Sequence, residues 1–272
     1  MKGGAHPRLA EGLIPNGMGG GCFLTKTVCI ANQKGGVGKT TTAVNLAAAL
    51  ARAGHRTLLV DMDPQCNATT GLGQKPSPDH GLVGEQALRH SVVETGVSGL
   101  SILPGCRRFR DVDLLANLGD GQSQRVVEQL RKCTGLYDYV LIDCPPSTGQ
   151  LTQTALSSSD EILMPIQCEY FAMEGLRQMI ETIRGVMQRQ PGQLEFAGIL
   201  LTMYEETLEL TREVDERVRE FFGDIVFETV IPRDGFLSEA PGHHQPVLDY
   251  APRSRGSRAY IELCMEVMGH DA

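Results

Sequence analysis

Asn32-Gln33-Lys34-Gly35-Gly36-Val37-Gly38-Lys39-Thr40-Thr41 lies between a short β-branched run and an Ala-rich stretch. That setting decides the fold. Thr27-Val28-Cys29-Ile30-Ala31 before it reads as a buried strand, and residues 39–53 after it read as a helix that stops at Gly54. Glycines let successive backbone N–H groups turn toward one point, and the helix start adds its positive end. A strand, a loop and a helix in this order make a cradle for phosphate. Lys39 is placed to reach β- and γ-phosphates, and the Thr40 hydroxyl to ligate Mg²⁺. The common spacing G-x-x-x-x-G-K-[ST] is not met in full, because Gln33 holds its first Gly position. Lys34 stands at the loop's start instead. From there it reaches its own γ-phosphate poorly, but it could cross a two-fold interface into a partner's site. There it would stabilise charge on the transferring phosphoryl group. This predicts a homodimer formed on ATP binding.

Outward from the loop, β-branched runs alternate with helical segments. Strands are expected at Thr57–Asp61, Leu100–Leu103, Tyr139–Asp143, Glu161–Ile166, Phe196–Thr202 and Ile225–Ile231. Helices are expected over 121–133, 171–189, 207–222 and 256–268, the third with an apolar stripe at Leu210, Val214, Val218 and Phe221. Strands apolar on both faces and separated by helices imply an α/β P-loop NTPase, its mostly parallel sheet covered by helices on both faces. Ligands then sit beyond the carboxyl ends of the strands, and three motifs fall at such ends. No internal repeat or interdomain linker is evident, and 71–81 reads as a loop. Residues 1–24 read as a flexible tail and 25–272 as a single ATPase domain. Met18 is a candidate true start.

Bulk properties remove several classes. The 272 residues carry a formal net charge of -8, so the chain as a whole is no basic nucleic-acid binder. Trp is absent and aromatics are 5%, which argues against base stacking as a main binding mode. The eight cysteines lack C-x-x-C or zinc-finger spacing and read as small core residues in a reducing cytoplasm. No run is apolar enough for a membrane span.

Two further strand ends are acidic. Asp61-Met62-Asp63-Pro64 puts two carboxylates on one face by strand alternation. Near a triphosphate, one could orient the attacking water and the other serve Mg²⁺ or the loop lysine. An ordinary capped turn is the competing explanation. Tyr139-Val140-Leu141-Ile142-Asp143 is the Walker B arrangement, with a strand-end carboxylate for Mg²⁺. Pro145-Pro146 after it would fix a loop near the γ-phosphate.

The segments KGGVGKTTTAVNLA, LLVDMDPQCNATTGLG, YDYVLIDCPPSTG, PIQCEYFAMEGL and IPRDGFLSEAP with SRGSRAY occur in this order. Together they resemble the ParA/Soj branch of the partition ATPases, within the deviant Walker A group, over nearly all of 25–268. The resemblance implies ATP and Mg²⁺ as cofactors. Lys34 then matches the signature lysine, and Gly35, Gly36, Val37, Gly38, Lys39, Thr40 and Thr41 the nucleotide loop. Thr40 and Asp143 match the metal site, Asp63 the hydrolysis aspartate, and Pro232 with Asp234 the adenine side. The family usually has Asn where Asp234 stands. It also implies sandwich dimers on non-specific DNA and a ParB-type activator of slow hydrolysis, serving chromosome or plasmid partition.

Two departures bear on the DNA. Where family members carry DNA-linked arginines, this chain has Thr207 and Phe236. Residues 204–220 hold seven acids and three arginines. Such a surface repels phosphates, so DNA binding is expected to be weakened. Arg253, Arg255 and Arg258, with His243 and His244, are the remaining candidate contacts. The runner-up is therefore a ParA-like ATPase that positions a non-DNA cargo. A MinD-like membrane role needs a basic amphipathic C-terminus, and the end here is acidic, so no membrane partner is expected. An iron–sulfur role would need interface cysteines, for which Cys106 and Cys144 are the candidates.

Overall fold

β1 (Lys26–Ile30) enters the centre of the sheet, between a strand that arrives later and one that arrives later still. The computed structural model describes residues 25–82, 88–108, 126–130, 135–170, 172–189 and 194–269. The expected tail over 1–24, with Met18, lies outside them. After β1 come α1 (Lys39–Arg52), β2 (Thr57–Asp61), α2 (Asn67–Gly71), β3 (Val93–Glu94) and β4 (Leu100–Leu103). Then follow β5 (Tyr139–Asp143), α3 (Gln150–Ser157), β6 (Glu161–Gln167), α4 (Ala172–Arg189) and β7 (Glu195–Thr202). The chain closes with α5 (Glu209–Phe222), α6 (Gly235–Glu239), α7 (Val247–Tyr250) and α8 (Arg255–Gly269). Of the helix expected over 121–133, residues 126–130 are helical and the rest lies outside the described residues.

The strand order is β3-β4-β2-β5-β1-β6-β7, parallel except for the short edge strand β3. β2 and β5 are buried at every position, as strands covered on both faces must be. Their register places Asp61 opposite Asp143. One face packs the Ala-rich α1 and α8 on Leu59, Leu141 and Leu163. The other face packs Leu151 of α3, Met179 and Ile183 of α4, and Val214 and Val218 of α5 on Val60, Ile142 and Met164.

Small side chains let α1 lie close to the sheet, and two of its buried polar residues, Thr42 and Asn45, tie it to later helices. The Thr42 and Tyr260 hydroxyls lie 3.2 Å apart. Asn45 donates to the Thr41 carbonyl at 2.8 Å and accepts the Val247 N–H at 2.7 Å. The helix carrying the phosphate loop is thereby fixed to the C-terminal third of the chain.

Two expectations need correction. Residues 225–231 do not form a strand. They run beside β7 with isolated bridges at Ile199–Val226 and Tyr204–Pro232. The ladder is interrupted because the Glu266 carboxylate takes the N–H groups of Glu228 and Thr229, at 2.7 and 3.0 Å. Phe227 also packs so closely on Gly198 that a Cβ there would come within 2.6 Å of its ring. In α5 the buried stripe is Thr211, Val214 and Val218, while Leu210 and Phe221 face solvent. A threonine counts as apolar once its methyl is buried, and the sequence reading passed over it.

Asn45→Ala leaves the Val247 N–H buried without its partner. We expect about 1–3 kcal/mol of lost stability by urea unfolding. A loss under about 0.5 kcal/mol, the range of neutral surface changes, would contradict the tie.

Candidate functional site

The loop between β1 and α1 is built by backbone, as its sequence requires. Gly36 and Gly38 take left-handed φ values of 75° and 88°. A Cβ at Gly38 would meet Thr202 only at 3.7 Å, so conformation rather than space demands the glycine there. Gly38 is also the N-cap of α1, with no side-chain cap bond. The first N–H groups of α1 therefore remain available to an anion. Val37 is buried, and its carbonyl accepts the Thr202 hydroxyl at 2.9 Å, tying the loop to the end of β7. On the other side Gly35 faces Pro146, where a Cβ would stand 3.8 Å from the proline. This places the Pro145-Pro146 turn against the loop.

The two lysines are held differently. Lys39 is buried, and its ammonium donates to the Lys34 carbonyl at 2.8 Å. Burial lowers its pKa, and the nearby Asp143 and Asp63 oppose that shift. The Lys34 backbone N–H donates to Asn32 Oδ1 at 3.0 Å, while its ammonium is ion-paired with Glu169, past the end of β6. Asn32 itself donates to the Pro165 carbonyl at 2.7 Å. Glu169 is a residue that the sequence reading missed. No local pattern marks it, because its contact depends on β6 lying next to β1.

Of the three strand-end acids, Asp143 and Asp63 act on Lys39, and Asp61 acts on Asp143. Both oxygens of Asp143 are buried without a hydrogen-bond partner. Burial, and next the charge of Asp61, hold its pKa well above the carboxylate range. The Thr40 hydroxyl stands near enough to oppose that shift, although it makes no hydrogen bond of normal geometry. Asp61 is raised to about 6, chiefly by burial. It differs from Asp143 in being satisfied, since Thr69 donates to Asp61 Oδ2 through N–H at 2.8 Å and hydroxyl at 2.6 Å. The sequence offered Asp61 and Asp63 as alternatives for water and metal. Asp61 is occupied in holding α2. Asp63 Oδ1 accepts the Gln65 N–H at 2.8 Å in its own turn, and its charge acts on both Lys39 and Asp143. His80, also missed, is buried with Nε2 2.9 Å from the Asp61 carbonyl, and burial lowers its pKa to about 4.

A divalent cation fits this arrangement. An orphaned, fully buried carboxylate beside a threonine hydroxyl lacks what a hard cation supplies, and a bound cation reverses the pKa logic of the site. An open loop with uncapped helix N–H groups and a buried lysine likewise fits a polyphosphate.

The remaining candidates are more scattered. A cavity of about 440 Å³ beside the loop is lined by Thr40, Thr41, Asn45, Thr70, Pro241 and His244. Pro232 lines a separate cavity of about 710 Å³. Asp234 lines neither. Its carboxylate accepts the Phe236 N–H at 3.1 Å and the Gly256 N–H at 2.8 Å, joining α6 to α8. Arg253, Arg255 and Arg258 are exposed. Arg255 and Arg258 line the larger cavity together with Arg219, Arg233, Thr207 and the acids Glu205, Glu206, Asp215, Glu228 and Glu262. Among the described residues no three His, Cys, Asp or Glu side chains gather into a metal-binding group, and no helix is long and apolar enough to cross a membrane. Cys106 and Cys144 are both buried, with the Cys144 sulfur 3.3 Å from that of Cys29, so neither stands at a surface where a shared cluster could form.

The chain is similar to known proteins over most of its length. A family described as an AAA domain matches residues 25–196. The chromosome partitioning protein ParA of Myxococcus xanthus is 41% identical, with 97% of this chain and 95% of that protein covered. The sporulation initiation inhibitor protein Soj of Bacillus subtilis is 43% identical, with 89% and 98% covered. A crystal structure from Mycobacterium smegmatis, described as cobyrinic acid a,c-diamide synthase with bound ADP and magnesium, is similar at a TM-score of 0.79 and 32% identity. It covers 90% of this chain and 95% of that one.

The acid pair sets a pH dependence. Raised folded-state pKa values mean that the folded chain holds more protons than the unfolded chain. The stability of the nucleotide-free protein should therefore fall as pH rises from about 4, where unfolded carboxylates titrate. The fall continues through about 6, where Asp61 titrates in the fold. Urea unfolding at stepped pH measures this, and Asp143→Asn should make the fall shallower. An identical slope in the variant would contradict the burial argument.

Proposed function

Because this chain belongs to the ParA/Soj family of chromosome-partitioning ATPases, we propose that it is a dimerising ATP switch that drives chromosome or plasmid partition with a ParB-type activator. Residues 25–272 act as one ATPase domain. The observation that carries the reading is the division of labour between the lysines. Lys39 points into its own loop, whereas the Lys34 ammonium is engaged away from it, on Glu169.

The chemistry follows from the positions of these groups. Glycine N–H groups and the α1 N-terminus bind the phosphates, and Lys39 leaves the Lys34 carbonyl for their oxygens. Thr40 and Asp143 would hold Mg²⁺, which neutralises phosphate charge. Asp63, fixed by its turn, orients the attacking water. Lys34 from a partner chain stabilises the charge that develops on the γ-phosphoryl group. Pro232 contributes to the adenine side. Asp234 contributes through its cap on α6 and its bond to α8, because both carboxylate oxygens are already engaged.

DNA binding is the weak part of the family pattern here. Arg255 and Arg258 share their cavity with four glutamates, and Glu205 is ion-paired with Arg233. This favours a second reading, in which the same switch positions a cargo other than DNA. The protein acts in the cytoplasm, and on the nucleoid if Arg253, Arg255 and Arg258 hold DNA.

Lys34→Ala should abolish dimerisation on ATP, while Asp63→Ala should form a dimer that persists because its ATP is not hydrolysed. Gel filtration with ATP and Mg²⁺ reads both, and a monomeric Asp63→Ala protein would contradict the role given to that residue. Retention on random-sequence DNA with ATP should be lost at moderate salt and present only at low salt. No retention at low salt, with hydrolysis intact, would favour the cargo reading.

A further inference from the structure

The Lys34–Glu169 ion pair joins the phosphate loop to the end of β6. Lys34 is held at three points. Asn32 takes its N–H at 3.0 Å, Lys39 binds its carbonyl at 2.8 Å, and Glu169 takes its ammonium at 2.5 Å. Two of these lead to β6, since Asn32 is anchored on the Pro165 carbonyl at 2.7 Å and Glu169 follows the strand's last residue, Gln167. The third leads to the phosphate-binding lysine. The two lysines are thus mechanically linked. When Lys39 turns to phosphate, it gives up the Lys34 carbonyl and removes one of the three restraints.

We propose that Glu169 is a positioning residue that parks Lys34 in the nucleotide-free chain and surrenders it to a second copy's nucleotide only when ATP draws Lys39 away. The proposal rests on the dimer reading above. The side chains are about a third and just under a half exposed, at 35% and 44%. An ion pair at that depth is weak enough to break on association and strong enough to bias it. A parked lysine also keeps an unliganded chain from offering a bare positive charge at the dimer face. Glu169 therefore opposes premature pairing, and ATP overcomes that opposition through Lys39.

Glu169→Gln in the full chain keeps the shape and removes the charge. With ATP and Mg²⁺, its half-dimerisation should occur at about two- to five-fold lower protein concentration than wild type, as expected for a half-exposed ion pair. Sedimentation velocity over a concentration series reads this. A merely structural Glu169 would instead lower the melting temperature and leave the midpoint unmoved. A second measurement needs no dimer. Lysine-selective ¹⁵N NMR of the nucleotide-free chain should show a Lys34 ammonium signal protected from exchange in wild type and lost in Glu169→Gln. A midpoint unchanged or moved to higher concentration overturns the proposal, as does a wild-type ammonium that exchanges as fast as the variant's. A wild-type chain that stays monomeric with ATP would overturn the dimer reading instead, and the NMR signal would then decide alone whether Glu169 holds Lys34.

Discussion

Everything around the site depends on a buried carboxylate at the centre of the sheet whose oxygens have no hydrogen-bond partner. Asp143 ends β5, opposite Asp61 on β2, and both are fully buried. Leaving a carboxylate in such a place without a partner costs several kcal/mol unless it is neutralised by a proton or a cation. Asp61 is compensated by two hydrogen bonds from Thr69, and Asp143 is not. The parallel register of β2 and β5 creates this strain, and that register follows from two five-residue apolar strands each running into an acid. The fold thereby holds an orphaned buried carboxylate beside Lys39 of the phosphate loop.

Much of this was legible in the residues. Tyr139–Asp143 and Thr57–Asp61 were readable to the residue, because continuous burial leaves an unbroken apolar run with a polar stop. The loop was legible because Gly36 and Gly38 need conformations that few other residues adopt. What escaped was long-range. That Glu169 reaches Lys34 requires β6 to sit beside β1, which no local pattern states. The false strand at 225–231 has the β-branched residues of a strand, and it fails because Glu266, 37 to 38 residues later, takes its amides. Asp61 and Asp63 look equivalent in sequence, yet Thr69 on α2 claims one of them.

The surface departs from the family pattern more than the site does. The nucleotide loop, the acids and both lysines are in place, while the segment that would meet DNA carries Glu205, Glu206 and Glu209. Ion pairing of Arg233 with Glu205 draws one more cation out of use. Exposed helix residues can change at little cost in stability, whereas the buried strand ends that form the site cannot. The latch at Glu169 lies between the two, at the edge of the site.

The most direct test of the central constraint is the proton count on nucleotide binding. Titration calorimetry of ATP with Mg²⁺ near pH 6, in buffers of different ionisation enthalpy, measures it. If Asp143 keeps a proton until a cation replaces it, binding releases a proton, and the observed heat varies with the buffer in wild type but much less in Asp143→Asn. Heats that do not depend on the buffer, or that depend on it equally in the variant, would show that the buried carboxylate was already ionised and would contradict the account.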